Sequence, residues 1–290
     1  MYATLRTSCR LCVPMVFVIL AGMSPSLILA EDGSSSKGSA SDPKPKENKV
    51  PEDQSLDLDE YLKLGIPAHD RPWASVDIAR AAKALATLAA KDPAQLPRFS
   101  SKRSGELFER IISPKNLDFY RNKTLPVKDR LQAGPEHLTA VSSIVKLYYA
   151  AFAKGTVADT EVIELLGVLF QVVEVQMRLV DEFLPTIPKD DPNYDVRMAG
   201  LEKTKQGLAT TVMGGLQVLT EKDAYRASER LKLLSHMKKT VPAFALRLPA
   251  NTRKELLQRV EEMTKDPDLK ELRTDLEEFN KLLKEAAKEK

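Results

Sequence analysis

Residues 65–73 read Gly65-Ile66-Pro67-Ala68-His69-Asp70-Arg71-Pro72-Trp73 and place an imidazole, a carboxylate, a guanidinium and the chain's only tryptophan in one short loop. Asp70 could orient or charge His69, and Arg71 could receive an anion, which together suit a hydrolase-type or ligand-binding site. The rival reading is packing, with Trp73 as anchor and Asp70 and Arg71 fixing the backbone. Loop neighbours need not face each other, so packing is the expectation and His69, Asp70 and Arg71 are the catalytic candidates.

A second set of candidates lies on helices. Residues 157–184 are apolar around roughly 220° of a helix turning about 100° per residue. The remainder is a narrow polar strip of Glu164, Gln171, Glu174 and Arg178. On the following helix, Lys205 shares a side with Met198, Leu208 and Val212. A buried ammonium needs a partner, so Lys205 either reaches Glu164 or Glu174 across the bundle or runs its aliphatic stem out to water. Trp73, Glu164, Glu174 and Lys205 are accordingly the binding candidates.

Other chemistry is sparse. Neither His137 nor His236 has a glutamate three residues before it, and the sequence holds no His-Glu-x-x-His, glycine-rich phosphate loop or Gly-x-Ser-x-Gly. Asp191, Asn193, Asp195 and Glu202 have calcium-loop spacing, but Val196 stands where the turn needs glycine, and Asp191-Pro192 reads as a helix start. No metal and no cofactor are expected. His137 reads as a packing residue near the start of a helix. Asn122-Lys123-Thr124 fits the glycosylation sequon.

The elements that must position these groups follow from composition and period. Of 290 residues, 43% are hydrophobic and 6% aromatic, with 12 glycines. That is too little turn glycine and too few aromatic residues for a β-rich protein. Arg6 and Arg10, an apolar run at 11–22 and Ala30 before Glu31 form a secretory signal pattern over residues 1–30. An uncleaved N-terminal anchor is the alternative. Cleavage would remove both cysteines, Cys9 and Cys12, and with them disulfide, thiol and zinc–thiolate chemistry. It would also lower the formal charge from +3 to +1 by removing Arg6 and Arg10, which leaves no basic field for nucleic acid. Residues 31–55, rich in Ser, Lys, Pro, Glu and Asp, read as a disordered tether.

Beyond the tether, capping residues and prolines punctuate amphipathic helices. Helices are predicted at 75–90, with Val76, Ala79, Ala82, Leu85 and Ala86 inward, and after Ser104. A further stretch covers 117–131. Pro135 is expected to open a helix ending before Gly155, since its missing N–H costs nothing at that position. Helices at 157–184, 192–221 and 223–240 follow. Residues 242–249 alternate and are expected as an extended connector. Thr252 and Glu255 have capping-box spacing. After Asp266-Pro267, Leu269, Leu272, Leu276, Phe279, Leu283 and Ala286 form a heptad-like seam too short to signal oligomerisation strongly.

The fold predicted is all-α: an antiparallel helical bundle over 56–241, then a C-terminal helical hairpin over 242–290 packed on it. The function expected is that of an exported, periplasmic or secreted, non-catalytic protein that binds a protein or envelope component. The alternatives are the enzyme or ligand-binding site at His69, Asp70 and Arg71, and a homo-oligomeric scaffold built through the C-terminal helix.

Overall fold

The computed structural model describes residues 51–288; the signal pattern at 1–30, both cysteines and most of the 31–55 tether lie outside the described residues. The end of that tether is packed. The Ser55 side chain is buried and bonds Asp53 at 2.6 Å and the Ser101 hydroxyl at 3.1 Å.

The elements are α1 (Leu58–Lys63), α2 (Ser75–Lys91), α3 (Gly105–Ile112), α4 (Asp118–Arg121) and α5 (Val127–Ala153). They continue with α6 (Asp159–Phe183), α7 (Tyr194–Thr220), α8 (Ala227–Ala245), α9 (Ala250–Lys265) and α10 (Arg273–Ala286). Among the described residues there is no strand, and the predicted all-α bundle is what forms. Helix α6 is the centre, with α5 on one side and α8 on the other; α2 packs on α5, and α10 lies against both α8 and α9. From Asp159 to Val180 of α6, Arg178 is the one exposed residue: the apolar arc is packed, and Glu164, Gln171 and Glu174 of the polar strip are covered as well.

The α5–α6 turn shows how the chain reverses. Gly155 takes φ 68°, its N–H donates to the Phe152 carbonyl at 2.8 Å, and the Thr156 N–H donates to Ala151 at 3.0 Å. This left-handed cap closes α5 where the sequence places it. Glu161 then caps α6, its Oε2 accepting the Ala158 N–H at 2.9 Å while its Oε1 accepts the Phe99 N–H at 3.1 Å.

Several expectations are corrected, and the helical stretch expected over 117–131 is one of them: α4 ends at Arg121, α5 starts at Val127, and a non-helical turn separates them. Helix α2 buries Ile78, Ala81, Ala82, Leu85 and Leu88, whereas Val76 is 50% exposed and Ala86 also faces outward. The reason is at its start: Asp77 accepts the Ala74 N–H at 3.1 Å, and Ser75 bonds Glu136 of α5 at 2.9 Å. These bonds turn Asp77 and Ile78 inward. Pro135 does not open a helix but lies inside α5, which starts at Val127. A proline interior to a helix removes one hydrogen bond and crowds the preceding turn, but α5 is held between α2 and α6, and that burial offsets the loss. Likewise α8 runs through Pro242 to Ala245, so residues 242–245 are helical and the expected extended connector is absent.

The heptad-like seam forms as predicted, with Leu269, Leu272, Leu276, Phe279 and Leu283 buried. Its partners are α8 and α9 of the same chain, so α9 and α10 make a hairpin closed on the bundle. Helix α9 starts at Ala250 after Pro249, with no side-chain cap from Thr252. The expected division at 242 falls within α8.

Candidate functional site

The loop carrying His69 is a strap. Trp73 is 2% exposed, its backbone N–H donates to Asn116 Oδ1 at 2.8 Å, and its indole N–H donates to the His69 carbonyl at 3.4 Å. Asp70 is not brought to His69. Its carboxylate is exposed and pairs with Arg110 of α3 at 2.6 Å. The neighbour of His69 is Asp77, with Nε2 to Oδ2 at 3.4 Å, and that same Asp77 carboxylate caps α2. Arg71 is exposed. The loop therefore joins α2 to α3 through packing and capping contacts, with no His69–Asp70 dyad.

Lys205 does not reach the strip on α6 either. Its ammonium pairs with Glu202 one turn earlier on its own helix. Glu174 pairs with Arg178, and burial pushes its carboxyl above the usual range while Arg178 and Arg121 pull it down. Glu164 pairs with Lys232 of α8. Each carboxylate has a nearer cation than Lys205, which removes the electrostatic reason for a cross-bundle contact.

Asp191 serves the start of α7: it accepts the Asn193 N–H at 2.7 Å and pairs with Arg197 at 3.2 Å. Among the described residues no group of three or more His, Cys, Asp or Glu is placed to hold a metal ion. His137, 1% exposed, meets the Tyr120 ring edge-on at 5.3 Å, and burial pushes its imidazole down to about 4.

One member of the predicted set does line a cavity. Glu164, Val168 and Gln171, spaced four and three residues apart, share one face of α6. With Glu109 and Ile112 of α3, Ser113 and Pro114 of the turn after it, and His236 of α8, they line an open cleft of about 370 Å³. Its size is within the range of small-molecule sites, and its walls mix apolar surface with a few polar groups.

Gly167 decides where His236 sits. A Cβ at Gly167 would stand 2.7 Å from both Cδ2 and Nε2 of the imidazole, closer than real contacts allow. Without that Cβ the ring lies directly on α6, and Nε2 comes to 4.0 Å from Glu164 Oε2. Lys232, one turn before His236, holds Oε1 of the same carboxylate, and its ammonium lies 5.3 Å from the centre of the Phe99 ring. Burial lowers the affinity of His236 for a proton; Glu164 opposes this, and Lys239 and Lys232 add to the lowering. A neutral imidazole offers one donor and one acceptor.

A separation of 4.0 Å is too long for a hydrogen bond but is spanned by a single donor atom bonded to both groups. The cleft can thus hold a hydrogen-bonding group between Glu164 and His236, with Gln171, Ser113 and Glu109 along its walls. His236 escaped the sequence reading. The available signal was Lys232 and His236, four apart on one helical face, opposite Glu164, Gly167 and Gln171 on another.

No protein-family model matches the chain, and comparison with curated proteins and with solved structures gives no match.

Proposed function

We propose that this chain is an exported, non-catalytic binding protein and that the cleft between α3, α6 and α8 is its recognition site. The observation that carries the reading is the placement of His236 on Gly167 with its Nε2 4.0 Å from Glu164 Oε2, a gap that one group lying beside both atoms can bridge. Such a gap matches a ligand or partner side chain carrying a hydroxyl, amide or amine. Ile112, Pro114 and Val168 offer its carbon skeleton an apolar surface.

Catalysis is the weaker reading on the same geometry. An imidazole base is oriented by the N–H that it donates to a partner carboxylate, and at 4.0 Å His236 donates none to Glu164. Lys232 meanwhile occupies the other carboxylate oxygen. Support for export comes from the pattern of Arg6, Arg10, the apolar run and Ala30.

The test is a thermal-shift and calorimetric screen of the full chain with small hydroxyl-, amide- and amine-bearing compounds, repeated on Glu164→Gln and His236→Ala. Binding that weakens at least tenfold in both variants supports the site. Binding that both variants retain places recognition elsewhere. Turnover of ester, amide or phosphoester substrates that vanishes in His236→Ala would replace binding with catalysis.

A further inference from the structure

The loop between α4 and α5 is held from the inside and open to the outside. Arg130, 4% exposed, donates through Nη1 to the Tyr120 carbonyl at 3.0 Å and through Nε to the Leu125 carbonyl at 3.2 Å. Its Nη2 pairs with Glu182 of α6 at 2.7 Å. Both ends of the loop are thereby tied to the body, while Asn122, Lys123 and Thr124 between them are exposed. Within the loop, Asn122 Oδ1 accepts the Thr124 N–H at 3.0 Å and the Thr124 hydroxyl at 2.7 Å. Both bonds go to the amide oxygen and neither uses Nδ2.

From this geometry we infer that Asn122 is an acceptor for an N-linked glycan. Asn122-Lys123-Thr124 is the only Asn-x-Ser/Thr triplet in the chain, and the structure presents it at the surface. The inference rests on the export reading, because the modification belongs to export compartments. The co-substrate is an oligosaccharide joined through its anomeric carbon to a polyprenyl diphosphate. In the transfer, the bond from the anomeric carbon to the diphosphate oxygen breaks and a bond from that carbon to Nδ2 forms. Nδ2 gives up one proton, and the lipid diphosphate is the leaving group. No electrons are exchanged with a third reactant. Thr124 is a positioning residue: its hydroxyl, bonded to Oδ1, fixes the amide and draws electron density from it, which eases loss of the Nδ2 proton.

The test is translation of the full chain, with its own N-terminus, in the presence of microsomes that hold an oligosaccharyltransferase. Protease protection and mass are read separately. Protected chains heavier by one glycan, with the increment removed by an amide-cleaving glycosidase and lost in Asn122→Gln and Thr124→Ala but kept in Thr124→Ser, support the inference. Protected chains of unchanged mass overturn it and leave export intact. Chains that stay unprotected count against export alone. For these, the purified full chain is incubated with an oligosaccharyltransferase and its lipid-linked donor; transfer to Asn122 supports the acceptor assignment, and no transfer overturns it.

Discussion

Gly167 and His236 are complementary: the imidazole fills the space where a Cβ on α6 would stand, 2.7 Å from Cδ2 and Nε2. Alanine is ordinarily better than glycine inside a helix by about 1 kcal/mol. At this position the order reverses, because the ring must move or α8 must shift. Gly167→Ala is expected to destabilise by about 1–3 kcal/mol, the usual range for overpacking. Adding His236→Ala should recover that loss and expose the helical gain. Urea denaturation of the two single variants and the double variant measures the coupling. Additive effects in that cycle would contradict the contact.

His137 predicts a pH dependence. Its folded value is about 4, against an ordinary 6.5, because burial disfavours the charged ring. Between those values the unfolded chain binds more protons than the folded one, so stability falls as pH drops through the window. The full contribution is present above pH 6.5 and is lost by pH 4. A difference of that size corresponds to about 3 kcal/mol. Stability measured by denaturant at pH 7 and pH 4.5 should fall less in His137→Phe than in the parent. An equal fall in both proteins would remove His137 as the cause.

Glu161 holds three things at once: the Phe99 N–H, the Ala158 N–H and the buried Arg98, whose Nη1 lies 3.9 Å from Oε2. Arg98 also bonds the Thr156 carbonyl. Burial raises the Glu161 carboxyl above its usual range, with the Phe99 N–H and Arg98 acting against it. Glu161→Ala removes the carboxylate beside a buried guanidinium, leaves the Phe99 N–H unpaired and uncaps α6, and is expected to cost about 3–5 kcal/mol. Glu161→Gln keeps an acceptor and should cost less. A denaturation midpoint unchanged in Glu161→Ala would show the pair to be dispensable.

The C-terminal seam is filled from within the chain. Phe279 is fully buried against the same bundle that takes Leu272 and Leu276. Phe279→Ala should cost about 3–5 kcal/mol, the range for truncating a buried aromatic side chain. Light scattering should give the same molecular mass for the parent and for this variant, since the seam residues are buried against α8 and α9. A drop in mass with unchanged stability would instead mark an oligomer interface.

Lys205 offers the contrast. Its partner Glu202 is largely exposed. Exposed helical pairs contribute little, because water screens them and both side chains lose freedom when they meet. Lys205→Met is expected to change stability by no more than about 0.5 kcal/mol. A loss of several kcal/mol would point to a buried partner that the structure does not place there.

Helix content, the central position of α6 and the closed C-terminal seam were legible in the amino-acid order. Each follows from the period of the apolar residues, and burying an oily stripe is a local requirement that any packed neighbour satisfies. Gly155 as a helix stop was legible for a similar reason, since few residues other than glycine take φ 68° without strain. Pro135 and Pro242 were misread as helix boundaries because intrinsic preference is weak against two flanking helices. The inward face of α2 turned on two bonds at its start, Ala74 N–H to Asp77 and Ser75 to Glu136, and Val76 is left exposed.

The pairing of charges could not be read along the chain at all. Lys205, Glu164, Glu174 and His69 each had several partners compatible with spacing, and the choice was made by distances of a few ångströms between helices. The cleft is the clearest case. Gly167 and His236 lie far apart in sequence, and neither residue type announces the other. Their relation exists only once α8 is laid on α6, because an absent methyl group is a vacancy in space and has no signature in one dimension.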